Sequence, residues 1–99
     1  MIGVMVRFQY ENEFNEALLQ QIAEGARNKF EGMPGLRSKA FTVDANKRQA
    51  LNFYVWESEA AAQKFFSPQM MEGVAKIYGV RPSLEYLKLV VLVENSPSS

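Results

Sequence analysis

The hydrophobic period of this chain changes from two to four within its first third, and few folds accommodate that change in 99 residues. Ile2, Val4, Val6, Phe8 and Tyr10 share one phase, and Gly3, Met5, Arg7 and Gln9 share the other. Such alternation predicts a strand. Phe14, Leu18, Ile22, Ala26 and Phe30 then recur every four, with Leu19 and Ala23 beside them and Glu16, Gln20, Glu24, Arg27 and Glu31 between. This spacing predicts an amphipathic helix, with Asn12 as its N-cap. Gly32 and Pro34-Gly35 end it, because glycine suits the position after a helix and proline cannot continue the ladder.

Leu36 to Val43 and Ala50 to Trp56 read as two strands joined by the polar, turn-prone run Asp44-Ala45-Asn46-Lys47-Arg48. Ser58 is expected to cap a second helix with its body at 60–66. Ser67-Pro68 supplies a fresh N-cap and first helical position, so a further helical segment should run from Pro68 to about Tyr78 and close at Gly79. Leu84 to Val93 is expected as the last strand, its apolar composition suiting a well-covered position. The order β-α-β-β-α-β predicts an α+β, ferredoxin-like domain, an antiparallel sheet with the helices on one face. The domain is expected over residues 1–94, with 95–99 as a flexible tail.

The other face of that sheet also needs cover. Leu51, Phe53 and Val55 occupy one phase of the third strand and Asn52, Tyr54 and Trp56 the other, so neither face is made for water. A second copy of the sheet is the economical partner. A chain this short buries only about 60–70% of its unfolded surface, which association would increase.

Composition removes whole classes of chemistry. The chain has no cysteine and no histidine, which excludes disulfides, thiolate nucleophiles, Cys/His zinc sites and the usual general base near neutral pH. Asp44 is the only aspartate, and no acidic spacing points to a metal. Lys plus Arg, 11, equals Asp plus Glu, 11, so no net field favours nucleic acid or an anionic membrane. No segment approaches the roughly 20 apolar residues of a membrane helix. The first residues lack the basic flank and cleavage site of a signal peptide, so a cytoplasmic location is expected.

Gly32-Met33-Pro34-Gly35-Leu36, Tyr54-Val55-Trp56-Glu57, the run Ala60 to Phe66 and Tyr78-Gly79-Val80 together resemble the small YdhR-like monooxygenases. These belong to the dimeric α/β-barrel superfamily, beside the antibiotic-biosynthesis monooxygenases. The resemblance covers roughly residues 2–93 and lies in the combined pattern, with no single diagnostic motif. It implies a homodimer whose two sheets pack face to face into a barrel. It also implies a pocket between each sheet and its own helices. In the antibiotic-biosynthesis relatives an Asn and a Trp four residues later on a pocket strand help bind and oxidise quinol-like or phenol-like substrates without metal or flavin. Asn52 and Trp56 have that spacing here, with Tyr54 between them. The haem-degrading branch of the superfamily carries a proximal histidine, which this chain lacks, so haem is not expected.

Residues 52, 54 and 56 share a face of their strand. An amide, a phenol and an indole N–H in an apolar cavity can stack on an aromatic substrate and hydrogen-bond its oxygen as a phenolate forms. The same three are also ordinary for a core strand, and spacing alone leaves both readings open. Arg7, Tyr10, Met70, Tyr78 and Tyr86 are candidate substrate-binding residues. Arg7 stands out because it interrupts an apolar strand, whereas Arg37, Lys39 and Arg81 are further candidate cations for an anionic substrate. Met70-Met71 with Val74, Ile77 and Tyr78 offers a soft apolar surface suited to the floor of a variable pocket or to core filling. Ser67-Pro68 reads as a lid hinge or as a rigid corner.

The resemblance, with Asn52, Tyr54 and Trp56 on one face of a strand, implies a cofactor-independent monooxygenase acting on a small aromatic, quinol-like or phenol-like metabolite. The missing histidine and cysteine favour an alternative, a dimer that binds a small apolar molecule without turning it over. A third possibility is isomerisation or decarboxylation of a ring compound, which oxygen dependence would separate from the first.

Overall fold

The computed structural model describes residues 1–95. In chain order the elements are β1 (Ile2–Gln9), α1 (Glu16–Phe30), β2 (Leu36–Asp44), β3 (Gln49–Trp56), α2 (Glu59–Phe65), α3 (Pro68–Tyr78) and β4 (Ser83–Lys88). The four strands form one antiparallel sheet in the order β2-β3-β1-β4. This is the ferredoxin-like α+β fold that the order of hydrophobic periods predicts.

The alternation in β1 decides which face the helices cover. Val4, Val6 and Phe8 are buried, and β3 places Tyr54 opposite Val4 and Asn52 opposite Val6. Rings from all three helices reach this same row: Phe30 of α1 and Phe65 of α2 meet Tyr54, and Tyr78 of α3 stacks on Phe8 at 3.8 Å. Trp56 is buried at the end of the row. Each fully buried Val or Phe in such a row contributes about 1.5–3 kcal/mol.

Three helix boundaries follow the expected chemistry. Ser58 accepts a hydrogen bond from the Ala61 amide, and Ser67 does the same for Met70, with Pro68 just inside α3. Gly79 ends α3 with φ +83° and donates its amide to the Ala75 carbonyl at 2.8 Å.

Two boundaries differ. Asn15, rather than Asn12, caps α1, its side chain accepting from the Leu18 amide at 3.0 Å. Phe14 therefore precedes the helix and packs against the core that holds Leu19, the positions of a hydrophobic staple. The last strand stops at Lys88, not Val93, because Lys88 pairs with Ile2 and β1 has no further strand residue to offer. Strand β4 is also an edge strand, mostly exposed in this chain, where a covered position was expected. Leu18, placed in the apolar stripe of α1, is half exposed. Most of the expected tail, residues 96–99, lies outside the described residues.

Beyond β4 the chain crosses one end of the sheet. Ile2, Leu36, Trp56 and Lys88 align there, and Glu94 pairs with Arg37 at 3.1 Å, on the edge opposite β4. Three strand spacings come to about 14 Å, a span six extended residues cover easily. Val90, Val91 and Val93 remain exposed along it.

Glycine conformation gives a test. Gly79 has open space where a Cβ would be, so Gly79→Ala meets only the left-handed backbone penalty, about 1–2 kcal/mol. At Gly35, φ +83°, an added Cβ would also lie 3.1 Å from the Ala61 Cβ. Urea denaturation should therefore rank Gly35→Ala as the more destabilising of the two.

Candidate functional site

Helix α1 stands away from the sheet. Only Leu19 of it is buried, and the space beneath forms two adjoining cavities with five lining residues in common. The inner one, about 350 Å³, lies between α1, α3 and the sheet, walled by rings and methionines that include Phe30, Tyr54, Phe65, Phe66, Met70 and Met71. The outer one, about 760 Å³, opens between α1 and β2 and is lined by charged residues such as Glu24, Arg27 and Arg37. Phe30, Lys39, Phe41, Asn52 and Tyr78 line both and mark their junction.

The polar groups at the junction are held in place by one another. The Asn52 amide donates to the Tyr78 hydroxyl at 3.1 Å, and the Tyr10 hydroxyl donates to the Tyr78 backbone carbonyl at 2.7 Å. Asn52 is 4% exposed, the one buried polar residue among those described, and its bond to Tyr78 offsets that burial. Burial raises the Tyr78 phenol above its ordinary range, opposed by the Asn52 hydrogen bond. Burial pushes Tyr54 up strongly, with Tyr78 adding to the shift, and raises Tyr10 as well. All three phenols therefore stay protonated near neutral pH and serve as hydrogen-bond donors.

Lys39 also turns inward. A β-bulge between Leu36 and Ser38 shifts the register of β2, so that Leu36 faces Trp56 and Lys39 faces Tyr54, on the same side of the sheet. Without the extra residue, Lys39 and Leu36 would lie on opposite faces. The Lys39 Nζ lies 3.4 Å from the centroid of Phe30, 4.1 Å from Phe41 and 4.3 Å from Tyr54. Ring faces favour the ammonium by about 0.5–2 kcal/mol. Desolvation opposes it, and so does the Lys29 charge; together they prevail and lower the amine to about 7.

The candidates from the sequence are thus distributed. Asn52, Tyr54, Met70 and Tyr78 line the inner cavity, and Tyr10 braces Tyr78 from outside it. Trp56, 1% exposed, lies one ring behind Tyr54, 5.9 Å away and nearly parallel, with Phe65 5.2 Å from it. It lines neither cavity, and its Nε1 is buried without a hydrogen-bond partner among the described residues. Arg7 pairs with Leu51 and Ser83 in the phase that faces away from the helices. Tyr86 sits on the edge strand β4, lines neither cavity, and has its ring 6.5 Å from that of Phe66. Met71, Val74 and Ile77 border the inner cavity too. Arg81 pairs with Glu72 at the surface. Phe30 and Phe41 were not singled out from the sequence, although Lys39, Phe41 and Val43 do share one phase of β2, the available signal that this lysine belongs with bulky neighbours.

Among the described residues no group of three or more acidic side chains gathers to hold a metal. No helix among them is long and apolar enough to cross a membrane.

Comparison with known proteins agrees with the fold. Residues 4–83 match the family described as "Putative mono-oxygenase ydhR". No curated protein matches the chain by sequence. Among solved structures, a monooxygenase from the ActVA-Orf6 gene of Streptomyces coelicolor, in complex with nanaomycin D, is similar with a TM-score of 0.67 and 18% identity, over 96% of this chain and 92% of that one. SnoaB, a cofactor-independent oxygenase from Streptomyces nogalater, is similar with a TM-score of 0.59 and 14% identity, over 98% and 97% of the two chains. Rv0793 from Mycobacterium tuberculosis gives a TM-score of 0.62 and 19% identity, over 96% and 98%.

The caged lysine makes stability depend on pH. Below about 7 Lys39 is protonated both folded and unfolded, and the folded protein bears the burial cost; between about 7 and the ordinary 10.5 the unfolded chain binds more protons, so stability rises with pH. The Tm of the wild type should therefore rise relative to that of Lys39→Met as pH goes from about 6 to about 9, as followed by scanning calorimetry.

Proposed function

As a member of the YdhR mono-oxygenase family, the chain comes with a class of chemistry, and we propose that it oxygenates a small aromatic hydroxyl compound using O₂ without a bound cofactor. The observation that carries this reading is the inner cavity: ring-walled, about 350 Å³, with Asn52, Tyr54 and Tyr78 as its donors. That volume falls within the range of small-molecule sites, about 300–1,000 Å³. A flat ring stacks among Phe30, Tyr54 and Phe66 while its oxygen meets the donors. Phenols that keep their own protons stabilise an oxyanion on the substrate.

The electrons come from the substrate. A phenol plus O₂ gives a quinone plus water: one oxygen atom enters the ring, the other leaves as water, and the ring supplies all four electrons. The protein binds the ring, favours the oxyanion and keeps water out. Trp56 stiffens the ring of Tyr54 from behind in this scheme, and Asn52 orients Tyr78. That SnoaB is described as a cofactor-independent oxygenase and that the Streptomyces coelicolor monooxygenase holds nanaomycin D supports the same reading.

We also propose that the protein works as a homodimer through the sheet face opposite the helices. Leu51 and Phe53 are half-buried there, with Phe53 laid over Gly3, whose missing Cβ makes room for the ring, while Val55 is already buried within the protomer. The exposed valines at 90, 91 and 93 border the same end of the sheet. A two-fold interface joins one surface to its own copy, and Met5, Leu51 and Phe53 are the apolar side chains that this face offers for it.

Oxygen uptake across a panel of hydroquinones and anthrones is the test of activity, with ¹⁸O₂ expected to place one labelled atom in the product. Asn52→Ala should lower kcat/KM by about 100-fold, as loss of one oxyanion donor does. No oxygen consumption with any of the panel, or product formed equally well without oxygen, would refute the oxygenase reading. Tight binding with the ligand recovered unchanged would identify a non-catalytic binder.

Light scattering tests the dimer. The wild type should have twice the chain's mass, 11.2 kDa, and Phe53→Glu should shift it toward one.

A further inference from the structure

A surface lysine on a sheet usually extends its amine into water. Lys39 folds inward instead, under Phe30 of α1 and between Phe41 of β2 and Tyr54 of β3, where the inner and outer cavities meet. No carboxylate lies within ion-pair distance of it among the described residues. Three rings and no counter-ion are a poor site for a permanent charge and a good one for an amine that gains and loses a proton.

The groups around it are consistent with that use. Lys29 of α1 is the nearby like charge. The ring of Tyr54 in β3 lies 4.3 Å from the Lys39 amine and Tyr78 of α3 lines the same two cavities, both phenols raised by burial. On the outer side, Glu16, Glu24, Arg27 and Glu31 of α1 and Arg37 of β2 line the mouth.

We propose that Lys39 is the proton acceptor of this cavity: its uncharged amine takes the proton of a ring hydroxyl, and the ammonium so formed holds the oxyanion. The assignment rests on the aromatic-hydroxyl reading of the site and narrows it to flat compounds with an acidic hydroxyl, such as acyl-substituted hydroquinones and enolisable anthrones. In the step the substrate O–H bond breaks and an N–H bond forms on Lys39, with no electron leaving either partner. The oxyanion then lies within reach of phenolic donors too weakly acidic to surrender their own protons. Burial leaves the amine near 7, so both of its forms are populated at neutral pH, as a general base needs.

The test uses 4-nitrophenol, whose phenol and phenolate forms differ in colour, with wild type, Lys39→Met and Lys39→Arg. At about pH 6, where the free compound is mostly protonated, the wild type should bind it as the yellow phenolate. Lys39→Met should bind it at least about tenfold more weakly and in the colourless form. In protein carrying ¹³Cε-lysine, one resonance should titrate near neutrality in the wild type and be missing from Lys39→Met. With hydroquinones, Lys39→Met should lose about 100-fold in kcat/KM, and Lys39→Arg, whose guanidinium cannot accept the proton, should not restore it.

Equal affinity and colour in Lys39→Met, no binding of 4-nitrophenol by the wild type, ordinary titration of every lysine, or full activity of Lys39→Arg would each overturn the assignment. Oxygen uptake is scored separately. A Lys39-dependent colour change without oxygen uptake refutes the oxygenase reading and leaves the proton acceptor standing. Uptake that Lys39→Met retains with the wild-type pH profile does the reverse.

Discussion

Strand β1 hydrogen-bonds on both sides, to β3 from Ile2 through Gln9 and to β4 from Ile2 through Arg7. Its strict alternation sends Val4, Val6 and Phe8 to one face, all of them buried, and leaves Gly3, Met5 and Arg7 on the other. Because side chains alternate with period two, a slip of one residue would exchange these sets and put Arg7 into the core. The rest of the structure takes its bearings from this register. It aligns Asn52 and Tyr54 of β3 with the buried row, it gives Tyr78 the flat ring of Phe8 to stack upon, and it ends β4 where β1 runs out of partners.

The site follows from how little of the helical layer is embedded. Leu19 in α1 and Ala62 in α2 are the buried residues of that layer, and α3 has none. Large rings at the sheet surface hold the helices at a distance, and the space they leave is walled by those rings. Polar groups enter it only where a neighbour supports them: Asn52 with Tyr78, and Tyr78 with Tyr10. Lys39 is supported by ring faces instead of a carboxylate, which makes its charge conditional.

Much of this was legible in the residues. The period change between Tyr10 and Phe14, the Ser67-Pro68 pair and Gly79 identify elements through local backbone chemistry, which a sequence displays directly. The shared phase of Asn52, Tyr54 and Trp56 was equally plain, because strand geometry puts alternate residues on one side. What was not legible depends on tertiary structure. Asn12 and Asn15 are both suitable caps, and only the packing of Phe14 against the core selects the second. The run from Leu89 to Val93 is apolar enough for a strand, but a strand needs a partner, and no residue of β1 lies opposite. Lys39 was one of four candidate cations, and only its pairing opposite Tyr54, in phase with Phe41, singles it out as the one that turns inward; the bulge at Arg37 brings Leu36 to the same side. Arg7 and Tyr86 fit a pocket by residue type, whereas the sheet places one on the far face and the other on an outer edge.

The shallow embedding of the helices carries a consequence for motion. A segment with few buried apolar side chains opens at a free energy well below that of the whole domain. Backbone amides of α1 should therefore exchange their hydrogens through local opening, ahead of those of β1 and β3 in the centre of the sheet. The layer that covers the cavity and the sheet that positions Asn52 and Tyr54 should thus loosen at different free energies, the one well before the other.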